Sequence, residues 1–108
     1  MIDDYQKTMK LIADIEEKLP IYAYPTKNLV RSLREDNDKK VKPKERLRID
    51  QVLYLGNEGG IGCAIMRTNS KEALIVSLTH LRIENKHPLF KEIRAYQLER
   101  IRKLANLA

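Results

Sequence analysis

The sequence predicts a single α+β domain in which helices at both ends pack against a small antiparallel sheet. Three observations lead to this prediction. All four glycines, and three apolar runs separated by polar turns, fall between about 47 and 83. Apolar residues recur at helical spacing on both sides of that stretch. The length of 108 residues and the hydrophobic share of 43% suit one domain, 1–108, with a packed core.

The first third of the chain predicts two N-terminal helices. Apolar residues recur at helical steps over about 3–19, where Asp3 or Asp4 caps the first turn and Pro20 ends the helix. Thr26 is then expected to cap a second helix over about 27–35.

The next segment, about 36–46, is almost wholly polar and changes from acidic to basic along its length. Such a composition is typical of a solvated connection between packed elements. We therefore predict a mobile basic loop that leads into the sheet.

Pro20 and Pro25 enclose a short segment that contains Tyr22 and Tyr24. We predict a rigid extended connector here, because a residue before proline disfavours the helical conformation. Side chains two residues apart in an extended chain point to the same side. The two rings therefore form either a stacking platform for a base or sugar, or the closure of a helix–helix corner. The amphipathic ring of tyrosine favours the corner.

The three apolar runs between about 47 and 83 predict a three-stranded antiparallel meander. The first run changes the parity of its apolar positions near Asp50 and Gln51, which indicates either burial on both faces or a β-bulge. The leucines of 73–83 also fit a helix, but the β-branched residues between them favour a strand. An alternative architecture curls the whole central segment into a small barrel.

The last element is predicted to be a long helix over about 88–106. Pro88 suits the first helical position, and no helix-breaking residue follows it. The residues that fall on one face, which is expected to pack across the sheet, are Phe90, Ile93, Gln97, Ile101 and Leu104.

Cysteine content and hydropathy suggest the compartment. Cys63 is the only cysteine, so the chain needs no oxidising environment. The first residues lack the basic region and apolar run of a signal peptide, and the apolar runs are far too short to cross a membrane. The sequence therefore predicts a cytoplasmic protein without a membrane partner.

The residues that most often carry chemistry give weak signals. The glycines of 56–62 lack the lysine of a P-loop and the helix of a dinucleotide site, so they are expected to form a hairpin turn. Cys63 lies in an apolar strand, which favours a buried structural role. The spacing of Cys63, His80 and His87 matches no zinc motif. We expect no metal and no cofactor, and enzyme activity is not indicated.

Positive charge is concentrated in two clusters, and the formal net charge is +6. Clusters of this kind bind acidic partners or the phosphate backbone of nucleic acids. No motif for reading bases accompanies them. The candidate residues are Lys39, Lys40, Lys42, Lys44, Arg46 and Arg48 before and within the first strand, and Arg94, Arg100, Arg102 and Lys103 in the last helix.

Three functions are therefore open. The first is a non-enzymatic protein-interaction module with a regulatory or assembly role, whose partner the sequence does not identify. The second is a nucleic-acid-associated protein that uses the two basic clusters, 39–48 and 91–103. The third is a small-ligand binder or enzyme with a pocket at Tyr54, Glu58 and His80. A free sheet edge would also allow pairing with a second copy, which makes a homodimer an expectation to test.

Overall fold

The computed structural model describes residues 2–66 and 73–107 and shows an α+β fold with a curled antiparallel sheet. A helix precedes the sheet and a long helix follows it. The elements in chain order are α1 (Tyr5–Glu16), β1 (Ile21–Pro25), α2 (Lys27–Ser32), β2 (Leu47–Tyr54), β3 (Ile61–Met66), β4 (Leu74–Ser77), a 3₁₀ turn (Leu78–His80), β5 (Leu81–Ile83) and α3 (Phe90–Leu107).

The helix starts follow the capping signals in the sequence. The side chain of Asp4 accepts a hydrogen bond from the Lys7 amide at 3.1 Å, and the Thr26 hydroxyl accepts one from the Leu29 amide at 3.2 Å. Each bond satisfies a backbone donor that the first helical turn leaves free. The second helix is shorter than predicted, because it ends at Ser32.

The predicted three-stranded meander is wrong in detail, since the sheet has five strands in the order β4-β3-β2-β1-β5. The proline-flanked segment that we predicted as a connector is β1, which also separates the two predicted N-terminal helices. It pairs antiparallel with β2 on one side and β5 on the other. These backbone partners lie far away in the sequence, so the local pattern did not reveal them.

The third apolar run is also divided. Ser77 ends β4, and its hydroxyl accepts a hydrogen bond from the Thr79 amide at 3.4 Å, which begins the 3₁₀ turn. The chain then continues as β5. The single strand predicted for this run is therefore two short strands on opposite edges of the sheet.

The short link between β4 and β5 requires the sheet to curl. Four strand spacings in a flat sheet would separate these edges by about 19 Å. The four residue steps from Ser77 to Leu81 span at most about 14 Å. The edges must therefore approach each other, as in the alternative barrel that the sequence left open.

A register shift between Ile49 and Gln51 shows a β-bulge in the first apolar run, which was one of the two alternatives for this strand. The bulge changes which residues face inward: Ile49 opposes Ile65 before it, and Val52 opposes Cys63 after it. The parity change in the sequence thus has a direct structural cause.

The core fills the concave side of the sheet. Three residues of α1 are buried there together with Ile93 of α3 and Val41 from the segment before β2. Cys63 is fully buried in this cluster, as predicted, and burial raises the pKa of its thiol to about 12. The three α1 residues are Leu11, Ile12 and Ile15.

None of the helices in the described part of the chain combines the length and apolar sequence needed to cross a bilayer.

Candidate functional site

A buried ion pair joins the segment before α1 to the middle of α3. Arg100 Nη1 lies 3.1 Å from both carboxylate oxygens of Asp3. The two side chains are only 1% and 3% exposed. Arg100 Nη2 donates a further bond of 2.6 Å to the Asn57 carbonyl, which places the β2–β3 turn over the pair.

Two tyrosines complete this cluster. The hydroxyls of Tyr54 and Tyr96 donate to Asp3 Oδ2 at 3.2 and 3.3 Å. The Tyr96 hydroxyl also accepts a hydrogen bond from the Ile61 amide at 2.9 Å. Among the residues described, every buried side-chain nitrogen and oxygen has a hydrogen-bond partner. The cluster is therefore internally satisfied, and its role is to hold three parts of the chain together.

The buried tyrosines predict an alkaline loss of stability. Burial raises the pKa of Tyr96 to about 12 and also raises that of Tyr54. The folded state thus holds these protons more tightly than the unfolded chain, whose tyrosines have a pKa of about 10. Their contribution is complete below about pH 10 and is lost as the pH rises towards 12.

Urea unfolding between about pH 9 and 11 checks this prediction. The native chain should lose stability as the pH rises, with Cys63 contributing in the same direction. The Tyr96→Phe variant should show a shallower decline, whatever its absolute stability. Equal slopes for the two proteins would contradict the effect assigned to Tyr96.

A groove of about 530 Å³ runs between α1 and α3, above the buried cluster. Its walls carry both signs of charge, and several of these charges are already paired, such as Lys10 with Asp14 at 3.0 Å. It therefore offers no concentrated field of one sign to a ligand. The charged lining residues are Asp3, Asp4, Lys7, Lys10, Asp14, Glu92, Glu99, Arg100 and Lys103.

The three residues of the predicted pocket have separate surroundings. Tyr54 belongs to the buried cluster, and Glu58 is exposed in the β2–β3 turn. His80 lies in the 3₁₀ turn, where partial burial lowers the pKa of its imidazole and its carbonyl accepts a bond from the Thr26 amide. None of the three lines the groove. Within residues 2–66 and 73–107, no group of three or more histidine, cysteine or acidic side chains is arranged to hold a metal.

The basic residues predicted in the last helix are largely occupied within the chain. Arg100 is buried against Asp3, as described above. Arg102 and Lys103 lie 2.7 and 3.6 Å from the Glu99 carboxylate, and Arg94 Nη1 lies 3.4 Å from the Gln97 side-chain oxygen.

The basic residues of the first cluster lie elsewhere. Lys39, Lys40, Lys42, Lys44 and Arg46 are exposed in the segment before β2, and Arg48 projects from the outer face of β2. In contrast, α3 packs against the 3₁₀ turn and α1. The two predicted clusters thus lie on different elements, the first on β2 and the segment before it and the second on α3.

Gln97 fixes how α3 sits on the sheet. Its side-chain nitrogen donates bonds of 2.7 Å to the carbonyls of both Leu78 and Leu81. The buried face of the helix is consequently formed by Ile93, Gln97 and Arg100. Gln97 was predicted on this face, whereas Arg100, predicted as a basic binding residue, is buried there instead.

The apolar residues in the second half of α3 remain at the surface. Ile101 and Leu104, which we predicted on the buried face, are 49% and 39% exposed. Leu98 is 51% exposed and Leu107 is 68% exposed. We call these four residues the α3 stripe. The periodicity predicted that Ile101 and Leu104 share one helix face. It could not show how much of that face the rest of the domain covers.

Comparison with known proteins finds no matching family model, no similar curated protein and no similar solved structure.

Proposed function

We propose that this protein is a non-enzymatic interaction module and that the α3 stripe docks a partner protein. The observation that carries the proposal is the exposure of four large apolar side chains within ten residues of one helix: Leu98, Ile101, Leu104 and Leu107. Burying such a side chain contributes about 1.5–3 kcal/mol, so a partner that covers several of them gains substantial affinity.

The spacing of the stripe suits an α-helical partner. Successive members are three residues apart, so neighbouring members form a ridge on the helix surface. This ridge winds around the helix and places Leu98 and Leu107 about 180° apart, so one partner covers two or three members at a time. A ridge of this kind packs into the groove between side-chain rows of a second helix. An amphipathic helix is thus the partner element that the stripe fits best.

The stripe is also held in place before any partner binds. Gln97 and Arg100 attach α3 to the sheet and to the segment before α1. Binding to a preformed helix avoids much of the ordering cost that a flexible segment would incur. The fixed position of the α3 stripe therefore favours its use as a docking surface for a partner.

The charges beside the stripe favour an acidic partner. Arg94 lies four residues before Leu98 and keeps its net charge, because the group it contacts is the neutral side chain of Gln97. Arg102 lies four residues after Leu98, but its charge is already paired with Glu99. Lys91 lies on the same side one turn earlier, and the whole chain carries a net charge of +6. Acidic residues flanking the apolar face of the partner would complement these groups and guide its approach.

Photocrosslinking tests the proposal in cells that make the protein. A photoreactive phenylalanine analogue in place of Ile101 should give a discrete protein adduct, identified by mass spectrometry. The control carries the same analogue in place of Ile75, which is 47% exposed on the outer face of β4. Absence of an adduct at 101, or the same adduct from both positions, would refute docking at the stripe. An adduct between two copies of this chain would contradict the acidic partner.

A further inference from the structure

The outer face of β1, β2 and β5 brings tyrosines and arginines together. Tyr22 of β1 is paired directly with Arg48 of β2, and Tyr24 of β1 with Arg82 of β5. Residues directly opposite in an antiparallel pair have adjacent side chains on the same face of the sheet. Each ring on this face therefore has an arginine beside it.

A further arginine lies on one of the rings. The Arg46 guanidinium carbon is 3.8 Å from the centroid of the Tyr22 ring, which is the geometry of a cation–π contact. Arg46 is itself exposed. Its guanidinium thus covers one face of the Tyr22 ring and presents its own plane and positive charge to a ligand.

Backbone and side-chain contacts hold the other two arginines near the rings. Arg48 Nε lies 2.8 Å from an Asp50 carboxylate oxygen, which reduces its net charge but fixes its position. Arg82 Nε donates a bond of 3.3 Å to the Pro25 carbonyl. The arginines are therefore ordered parts of this face rather than freely moving surface groups.

We infer that this face, which we call the tyrosine–arginine face, binds single-stranded nucleic acid. Aromatic rings and guanidinium planes stack with unpaired bases, while positive groups beside them contact the phosphates. Tyr24 and the stacked pair of Tyr22 and Arg46 are about 7 Å apart along the strand, enough for each to stack with a different base. In a duplex the base faces are covered by their neighbours, so these rings select a single strand.

The surrounding charge agrees with this ligand. The basic segment that contains Lys39, Lys42 and Lys44 leads directly into Arg46, so it adds positive charge to the approach of a phosphate backbone. The α3 stripe belongs to a helix that packs against the 3₁₀ turn and α1, away from this outer face. This inference is consequently independent of the proposed protein partner.

Fluorescence polarisation with a labelled single-stranded oligonucleotide of mixed sequence tests the inference. At about 50 mM salt the native chain should bind in the micromolar range and lose affinity steeply as salt rises. The combined variant Tyr22→Leu, Tyr24→Leu should bind at least ten-fold more weakly. The conservative pair Tyr22→Phe, Tyr24→Phe keeps both rings and should bind like the native chain. The control Tyr5→Leu alters an exposed tyrosine on α1 and should change nothing.

A second pair of variants separates charge from stacking. Arg46→Gln with Arg82→Gln should weaken binding and reduce the slope of log K against log salt by about 1.4, because each phosphate contact on a single strand contributes about 0.7. The control is the combined variant Lys7→Gln, Lys18→Gln, which removes two positive charges from α1 and the residues just after it. It should leave the slope of log K against log salt unchanged. Circular dichroism confirms that each variant is folded.

Three results would overturn the inference. The first is no binding by the native chain at about 50 mM salt, where even non-specific contacts give affinities near the micromolar range. The second is equal affinity for the native chain and the Tyr22→Leu, Tyr24→Leu variant. The third is tighter binding to the matching duplex than to the single strand.

Discussion

The Asp3→Asn variant is expected to lose about 3–5 kcal/mol of unfolding free energy, the usual cost of removing one partner from a buried ion pair. The substitution leaves the Arg100 guanidinium buried without a countercharge. It also removes the charged acceptor for the Tyr54 and Tyr96 hydroxyls. Urea unfolding at neutral pH measures the change, with an unchanged m-value showing that the transition remains comparable.

Asp14→Asn is the matched control for that experiment. Asp14 accepts a hydrogen bond of 3.0 Å from Lys10, but this ion pair lies on the exposed side of α1. Exposed pairs are screened by solvent, so this variant should unfold at the same urea concentration as the native chain within error. If Asp3→Asn were as mild as Asp14→Asn, the buried cluster would not be what anchors α3.

The Gly60→Ala variant is expected to lose about 3 kcal/mol, from two causes that act together. Gly60 has a φ of +64°, in the left-handed region that side chains with a Cβ adopt at a cost. A Cβ at this position would also meet the Tyr96 hydroxyl and approach Arg100 Nε to 2.8 Å. Thermal unfolding followed by circular dichroism should show a clearly lower midpoint.

Gly56→Ala separates the two causes. Gly56 also has a positive φ, of +79°, but a Cβ there would have no atom within 4 Å. This variant should therefore show only the backbone cost of about 1 kcal/mol. Similar losses for the two alanine variants would mean that close packing of the turn over Tyr96 and Arg100 contributes little.

Local signals predicted the helices well. Asp4 and Thr26 cap their own first turns, so the residues that start these helices are close neighbours in the sequence. The sequence also indicated a β-bulge near Asp50 as one of two alternatives, because the parity of the apolar positions changes within one strand. In each of these cases the cause and its effect lie within a few residues.

The strand β1 was missed because its evidence is not local. Pro20 and Pro25 indicated a connector, and the alternation of Ile21, Tyr22 and Ala23 became meaningful only with a partner on each side. Those partners, β2 and β5, begin 26 and 60 residues after Ile21. A period of two residues in so short a segment cannot distinguish a strand from an extended linker.

The residues of the candidate sites were even harder to group from the sequence, because they lie far apart along the chain. Asp3 and Arg100 are 97 residues apart, and each alone looks like an ordinary surface charge. The sequence singled out Tyr22, Arg46 and Arg48 as candidates. Only the pairing of β1 with β2 places the two arginines beside Tyr22. The sequence identified residues with binding potential, and the fold determined which of them share a surface.

The affinity of the crosslinked partner for variants of the α3 stripe tests the proposed function most directly. Ile101→Glu places a charge at the centre of the stripe, and as an exposed substitution it should leave the unfolding free energy nearly unchanged. We expect isothermal titration calorimetry to show a dissociation constant at least ten-fold larger for Ile101→Glu than for the native chain. The control Ile75→Glu should bind like the native chain. Equal affinities for native and Ile101→Glu proteins would contradict docking at the stripe.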